Sequence, residues 1–252
     1  MVFNTPSPFS SPEWMTVPFE GQSSNAHQLL TDVIFPVPDI ISMLNMGGSM
    51  RSFFSRPIPP GVDTKPVEDR TRDLLQELDN WAVRYPHFTV LPSRSDNYTL
   101  TNDMETVMTP SAEETSPKGS NIVVAASFFA LTAATYEATR LILLMLVMKV
   151  SPQAPITPLA SPASSTTPPD PQGSCSTLVD AAILSSKHIL NIAAYMESKH
   201  PVGFDFIRTV FPLVVVGILG PREKEKTVAQ EMLDRWGEMR GMGGLCSAWL
   251  QA

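Results

Sequence analysis

The sequence predicts an all-α fold: an irregular helical domain with long Pro/Ser/Thr-rich insertions and a poorly ordered N-terminus. Three observations carry that expectation. Apolar residues recur at helical spacing in several blocks, and no block alternates as a half-buried strand does. Proline is frequent, 24 against 13 glycines, and it gathers between those blocks. Charged residues are 17% of the 252, below the quarter usual for soluble domains. Apolar helices separated by long uncharged linkers fit this composition better than a uniformly compact enzyme fold does.

Residues 1–62 read as a Pro/Ser-rich, largely disordered leader. Pro36 and Pro38 interrupt its apolar stretch and deny it a continuous helix, leaving two short docking turns near 29–35 and 39–44. The helical domain then spans 63–252, with flexible loops expected at 92–119 and 151–176. Its first helix is placed at about 64–85. Asp63 and Thr64 suit the N-cap, Pro66 is tolerated in a first turn, and Pro86 ends the helix. Val67, Leu74, Leu78, Trp81 and Tyr85 form one apolar stripe on it.

After the polar stretch 92–119, Ser120 or Asn121 caps a long apolar helix, 122–150. Its length raises the question of a membrane span. Seven Leu, Ile and Val residues between Leu131 and Lys149 favour insertion by about 0.3–0.6 kcal/mol each. Glu137 and Arg140, near the middle, oppose it by about 2.5–3.5 kcal/mol each. The charges win, and a central core helix is the better reading. Glu137 and Arg140 share a face, so each is expected to find a partner inside the core, in the other or in a neighbouring helix. Stranding one of a buried pair would cost about 3–5 kcal/mol.

Seven prolines lie between Pro152 and Pro171, too many for a helix or a central strand. Thr177 caps the next helix, to about Lys199, with Leu178, Ala182, Ile189, Ala193 and Met196 on one face. Asp205 opens an apolar helix that Pro212 is expected to kink or restart. Gly220 and Pro221 break the chain again, with Pro221 placed to open a last helix. That helix turns Val228, Ala229, Met232, Leu233, Trp236 and Met239 inward, and pairs Glu231 with Arg235 outside. Gly241, Gly243 and Gly244 end it before a short apolar terminal turn with Trp249.

Charge and motifs narrow the function. The net charge of −7 falls in the first half: residues 1–120 carry 15 acids and 8 bases, the remainder 10 and 10. No part has the basic footprint of a nucleic-acid binder. Two cysteines, Cys175 and Cys246, make neither a disulfide framework nor a zinc pattern and read as reduced thiols. The first residues show no basic and apolar regions of a secretory signal, so an intracellular chain is expected. His27, His87, His188 and His200 form no HExxH pair. His188 lies beside Ser185, Ser186 and Lys187, but no strand-borne G-x-S-x-G elbow supports a nucleophile, and a surface or half-buried histidine is the expectation. Met46-Gly47-Gly48-Ser49 lacks the lysine of a phosphate loop. Asp69 with Asp73, and Asp234 with Glu238, read as solvated faces. Trp81, Tyr136, Tyr195, Phe211 and Trp236 read as core. No catalytic, cofactor-binding, metal or DNA-binding residue is nominated, and an enzyme is not expected.

Four segments resemble a known family in order along the chain. Residues 200–213 (HPVGFDFIRTVFPL) look like a helix-turn-helix and FPL segment in the effector region of fungal zinc-cluster transcription factors. Residues 220–223 (GPRE) with 232–237 (MLDRWG) are similar to that family's closing helix. Residues 136–141 (YEATRL) resemble its tyrosine-led central helix, and 74–81 (LLQELDNW) the helix before it. The resemblance covers roughly 65–252 and implies a helical regulatory domain that lies C-terminal to a six-cysteine, two-zinc DNA-binding cluster. Two cysteines do not build that cluster, so zinc would enter only with a six-cysteine segment upstream, and direct DNA contact by this chain is not expected. The implied function is nuclear transcription regulation through protein partners, a related transcription factor among them, or through a small-molecule effector. The alternative is a free-standing helical scaffold, or a dominant-negative dimerisation partner, without DNA binding or catalysis.

Overall fold

The computed structural model describes residues 25–89, 118–151, 172–198 and 204–240. They form helices and connecting turns, with no strand among the described residues. The helices are α1 (Ala26–Ile34), α2 (Val37–Ser42), α3 (Met50–Ser55), α4 (Lys65–Arg84), α5 (Lys118–Val150), α6 (Gln172–Ser198), α7 (Phe204–Leu219) and α8 (Glu223–Arg240), with a 3₁₀ turn at Pro86–Phe88. The fold class is all-α, as the sequence predicts.

Helix α5 is the axis. It is apolar around its whole circumference, as a helix covered on several sides must be. Helices α4, α6 and α7 pack along it; α8 lies on α7 and reaches α6. Small residues on the facing surfaces, Ala130, Ala133, Ala134 and Ala138 on α5 with Ala182, Ser185, Ser186 and Ala193 on α6, are all buried and let the two backbones approach closely. The stripe on α4 lies where its spacing puts it, with Val67, Leu74, Leu78 and Trp81 buried. Thr71 joins it, its hydroxyl turned back to the Val67 carbonyl at 2.6 Å. On α8, Ala229, Met232, Leu233 and Trp236 are buried as expected.

The N-terminal boundary is corrected. Residues 25–62 are not a disordered leader but three short helices, the first two overlapping the docking turns expected near 29–35 and 39–44, whose apolar side chains belong to the main core: Leu30, Ile41 and Leu44 are wholly buried and Phe53 nearly so. The prolines mark joints. Pro36 is the N-cap of α2 and Pro38 sits in its first turn, where a missing N–H breaks no helical bond. Asn25 caps α1 by accepting from the Gln28 amide at 2.9 Å, and Ser49 caps α3 through the Ser52 amide at 3.2 Å. The glycine pair before Ser49 thus serves a cap: Gly48 has φ +123°, left-handed backbone that favours glycine, and the Gly47 carbonyl accepts from the Arg56 guanidinium. Lys149, at the end of α5, donates to the Arg56 carbonyl at 2.6 Å just past the C-terminus of α3, binding the first layer to the axis.

Other boundaries shift less. Helix α5 begins at Lys118 and α6 at Gln172, so 118–119 and 172–176 are helical rather than loop. The rest of the two expected loops, residues 1–24 and the terminal turn with Trp249 lie outside the described residues. Of the kink or restart expected at Pro212, the restart does not occur: α7 is one helix with the proline inside it. Val210, Leu213, Val214, Val215, Val216 and Leu219 are buried around the proline, and their packing outweighs the roughly 3 kcal/mol that an interior proline costs. Helix α8 starts at Glu223, two residues after Pro221. At the α7–α8 joint a Cβ on Gly220 would stand 2.7 Å from the Val216 carbonyl oxygen, so only glycine fits that approach.

Candidate functional site

Most polar side chains inside the helical body satisfy themselves locally. Thr132, Thr135 and Thr139 each donate to the carbonyl four residues back, at 2.8–2.9 Å, and Ser186 does the same to Ala182. Glu137 and Arg140 have side chains too long for that and meet α6. Glu137 Oε1 lies 2.7 Å from His188 Nδ1, and Arg140 Nη1 donates to Ser185 Oγ at 3.3 Å. Three residues forward on α5 match three back on α6, the register of an antiparallel pair.

The expectation that both charges are partnered in the core holds, through α6 rather than through each other. The Glu137 side chain is only 9% exposed and His188 27%, so the imidazole lies at the edge of the seam and the carboxylate beneath it. Ser185 is wholly buried. Glu137 Oε2 is buried with no hydrogen-bond partner among the described residues. The residue before Glu137, Tyr136, stacks on Trp81, ring centroids 5.4 Å apart, and burial pushes its phenol up to about 12. The Trp81 indole N–H in turn donates to the Ala26 carbonyl at 2.7 Å, joining α1 to α4.

A second polar contact crosses the other side. Arg208 Nη2 of α7 lies 3.2 Å from His27 Nε2 of α1. The guanidinium has only N–H to offer, so His27 Nε2 accepts and the ring is neutral. Its protonated Nδ1 is buried with no partner among the described residues, and the Phe128 ring stands edge-on at 5.9 Å. Burial, and then the Arg208 charge, hold this imidazole below its ordinary value. On α8, Arg235 makes two bonds of 2.7 and 2.9 Å to Glu197 of α6, in place of the expected pairing with Glu231. Arg235 foremost, with a smaller contribution from Trp236, holds the Glu197 carboxyl below the usual range against a partial burial penalty.

Of the residues weighed for chemistry, the fold brings Ser185 and His188 to one seam and gives each a partner on α5. Asp69, Asp73, Asp234 and Glu238 stay on exposed faces. Cys246 and His200 lie outside the described residues, as does the Cys175 side chain. No group of three or more metal-ligating side chains occurs among the described residues. The contacts of Glu137 and His27 had no local signal: their partners are 51 and 181 residues away. The stretch Ser127–Val150 is long and apolar enough to cross a membrane, and 78% of its apolar window is buried within the protein. Compared with protein-family models, curated proteins and solved structures, the chain matches none.

Proposed function

We propose that this chain is a helical regulatory module that works in the nucleus through protein contacts, of the kind found in the effector region of fungal zinc-cluster transcription factors. One observation carries the reading. The four segments that resemble that family, the first and last of them about 150 residues apart, contribute to a single core: Leu74, Leu78 and Trp81 from the first, Tyr136 and Leu141 from the second, Val210 and Leu213 from the third, Met232, Leu233 and Trp236 from the fourth. A shared core is what a common scaffold requires, and it gives the ordered resemblance a physical basis. The module itself contacts no DNA; zinc would belong to a six-cysteine segment upstream.

A tethering assay tests the proposal. Fused to a foreign DNA-binding domain, the full chain is expected to change the output of a reporter carrying that domain's sites, in either direction. An unchanged output, with the fusion expressed and nuclear, would leave the chain as an inert scaffold or a sequestering partner.

A further inference from the structure

Two histidines occupy helix seams with opposite neighbours. His188 of α6 meets the Glu137 carboxylate of α5, Nδ1 to Oε1, at 2.7 Å. His27 of α1 faces the Arg208 guanidinium, so a proton on its ring sets two cations 3.2 Å apart. We propose that the His27–Arg208 contact is an acid-sensitive latch, which frees α1 from α7 on protonation while the α5–α6 seam holds.

The step is a single proton taken from solvent by His27 Nε2. It removes the lone pair that accepts from Arg208 and leaves a charged ring whose Nδ1 is already buried with no partner among the described residues. Among the described residues, the contacts of the ring offer that charge no counter-ion. Helix α7 presents Arg208, α5 the uncharged Phe128 ring, and α4 the Trp81 indole bonded to the neighbouring Ala26 carbonyl. On α1 itself the next ionisable side chain is Asp32, whose carboxyl burial raises. A raised carboxyl gains protons on folding, so Asp32 opposes an acid opening rather than causing it. For His27 the sign is the reverse. Its folded value lies below the unfolded 6.5, so its stabilisation is complete above that pH and is lost as the pH falls toward the folded value. Acid therefore acts on one layer selectively, loosening α1 where it meets α7. The latch stands on this contact alone, whether or not the chain regulates transcription.

Hydrogen exchange on the full chain, corrected for intrinsic pH dependence, tests it at pH 7.5 and 5.5. Peptides from Ala26–Ile34 are expected to exchange several-fold faster at the lower pH, and those from α5 and α6 to keep their protection. His27→Gln, which retains an uncharged acceptor for Arg208, is expected to keep α1 protected at both. His27→Lys, a fixed cation, is expected to open α1 already at pH 7.5, and it decides the matter should the glutamine variant be loose at neutral pH. Uniform loss of protection in the wild type, the same acid response in His27→Gln, or a protected α1 in His27→Lys would each overturn the latch.

Discussion

Glu137 and Arg140 sit three residues apart on α5, and neither turns to the other. Each takes its partner from α6, and the two partners differ in kind: an imidazole for the carboxylate, a hydroxyl for the guanidinium. The cost of removing them must differ too. Arg140 is partly exposed, and its loss leaves the buried Ser185 hydroxyl without one donor. Arg140→Ala is therefore expected to cost about 1 kcal/mol, not the 3–5 of a stranded ion. Glu137→Ala leaves His188 Nδ1 without its acceptor and empties a nearly enclosed space, for about 2–4 kcal/mol. Denaturant unfolding at neutral pH should rank Glu137→Ala well above Arg140→Ala, and the reverse ranking would mean the seam is misdescribed. That these charges point inward was legible, because two ions in the middle of an apolar helix need partners. Their choice of Ser185 and His188 was not, since periodicity on one helix carries no register to another.

At the scale of elements, spacing served best where a helix has one buried face. Most of the α4 stripe and of the inner face of α8 was legible for that reason, although Tyr85 and Val228 are only half-buried and Thr71 and Glu225 join the buried faces without an apolar signal. It served least where helices are short. Helices α2 and α3 span six residues each, too few for a period to declare itself, and their stability comes from caps and packing rather than from propensity. Helix α1 shows how such an element is held. Its Ala26 carbonyl accepts from the Trp81 indole, and Trp81 is clamped in turn by Tyr136 at 5.4 Å and Phe88 at 5.8 Å. Trp81→Phe keeps an aromatic ring in that place and removes the donor. The expected loss is about 1 kcal/mol, the net worth of one hydrogen bond. It should fall unevenly, raising amide exchange in Ala26–Ile34 more than in the middle of α5. Equal effects on the two helices would show that the indole bond does not secure α1.

For the molecule as a whole, the decisive matter is where the folded body begins. Composition placed that border at residue 63, because the prolines and glycines before it read as a leader. A proline at a helix N-cap and one inside a helix interior are alike in a composition count; only the packing tells them apart. In the fold, Leu30, Ile40, Ile41, Leu44 and Phe53 share one core with Leu74, Leu78, Leu141 and Leu213. Full burial of each of those first side chains contributes about 1.5–3 kcal/mol, together on the order of 10 kcal/mol. The net stability of a whole domain is about 5–15 kcal/mol. A chain that begins at residue 63 would therefore give up an amount comparable with all it has, and would leave the faces of α4 and α7 bare. Such a truncation is expected to lose cooperative thermal unfolding and to associate on size exclusion. A truncated chain that stayed monomeric and melted at the midpoint of the full chain would show that residues 25–62 add nothing to the core. A chain that begins at residue 25 keeps every described contact and is expected to melt cooperatively, so the pair of truncations separates the packed helices from the segment before them.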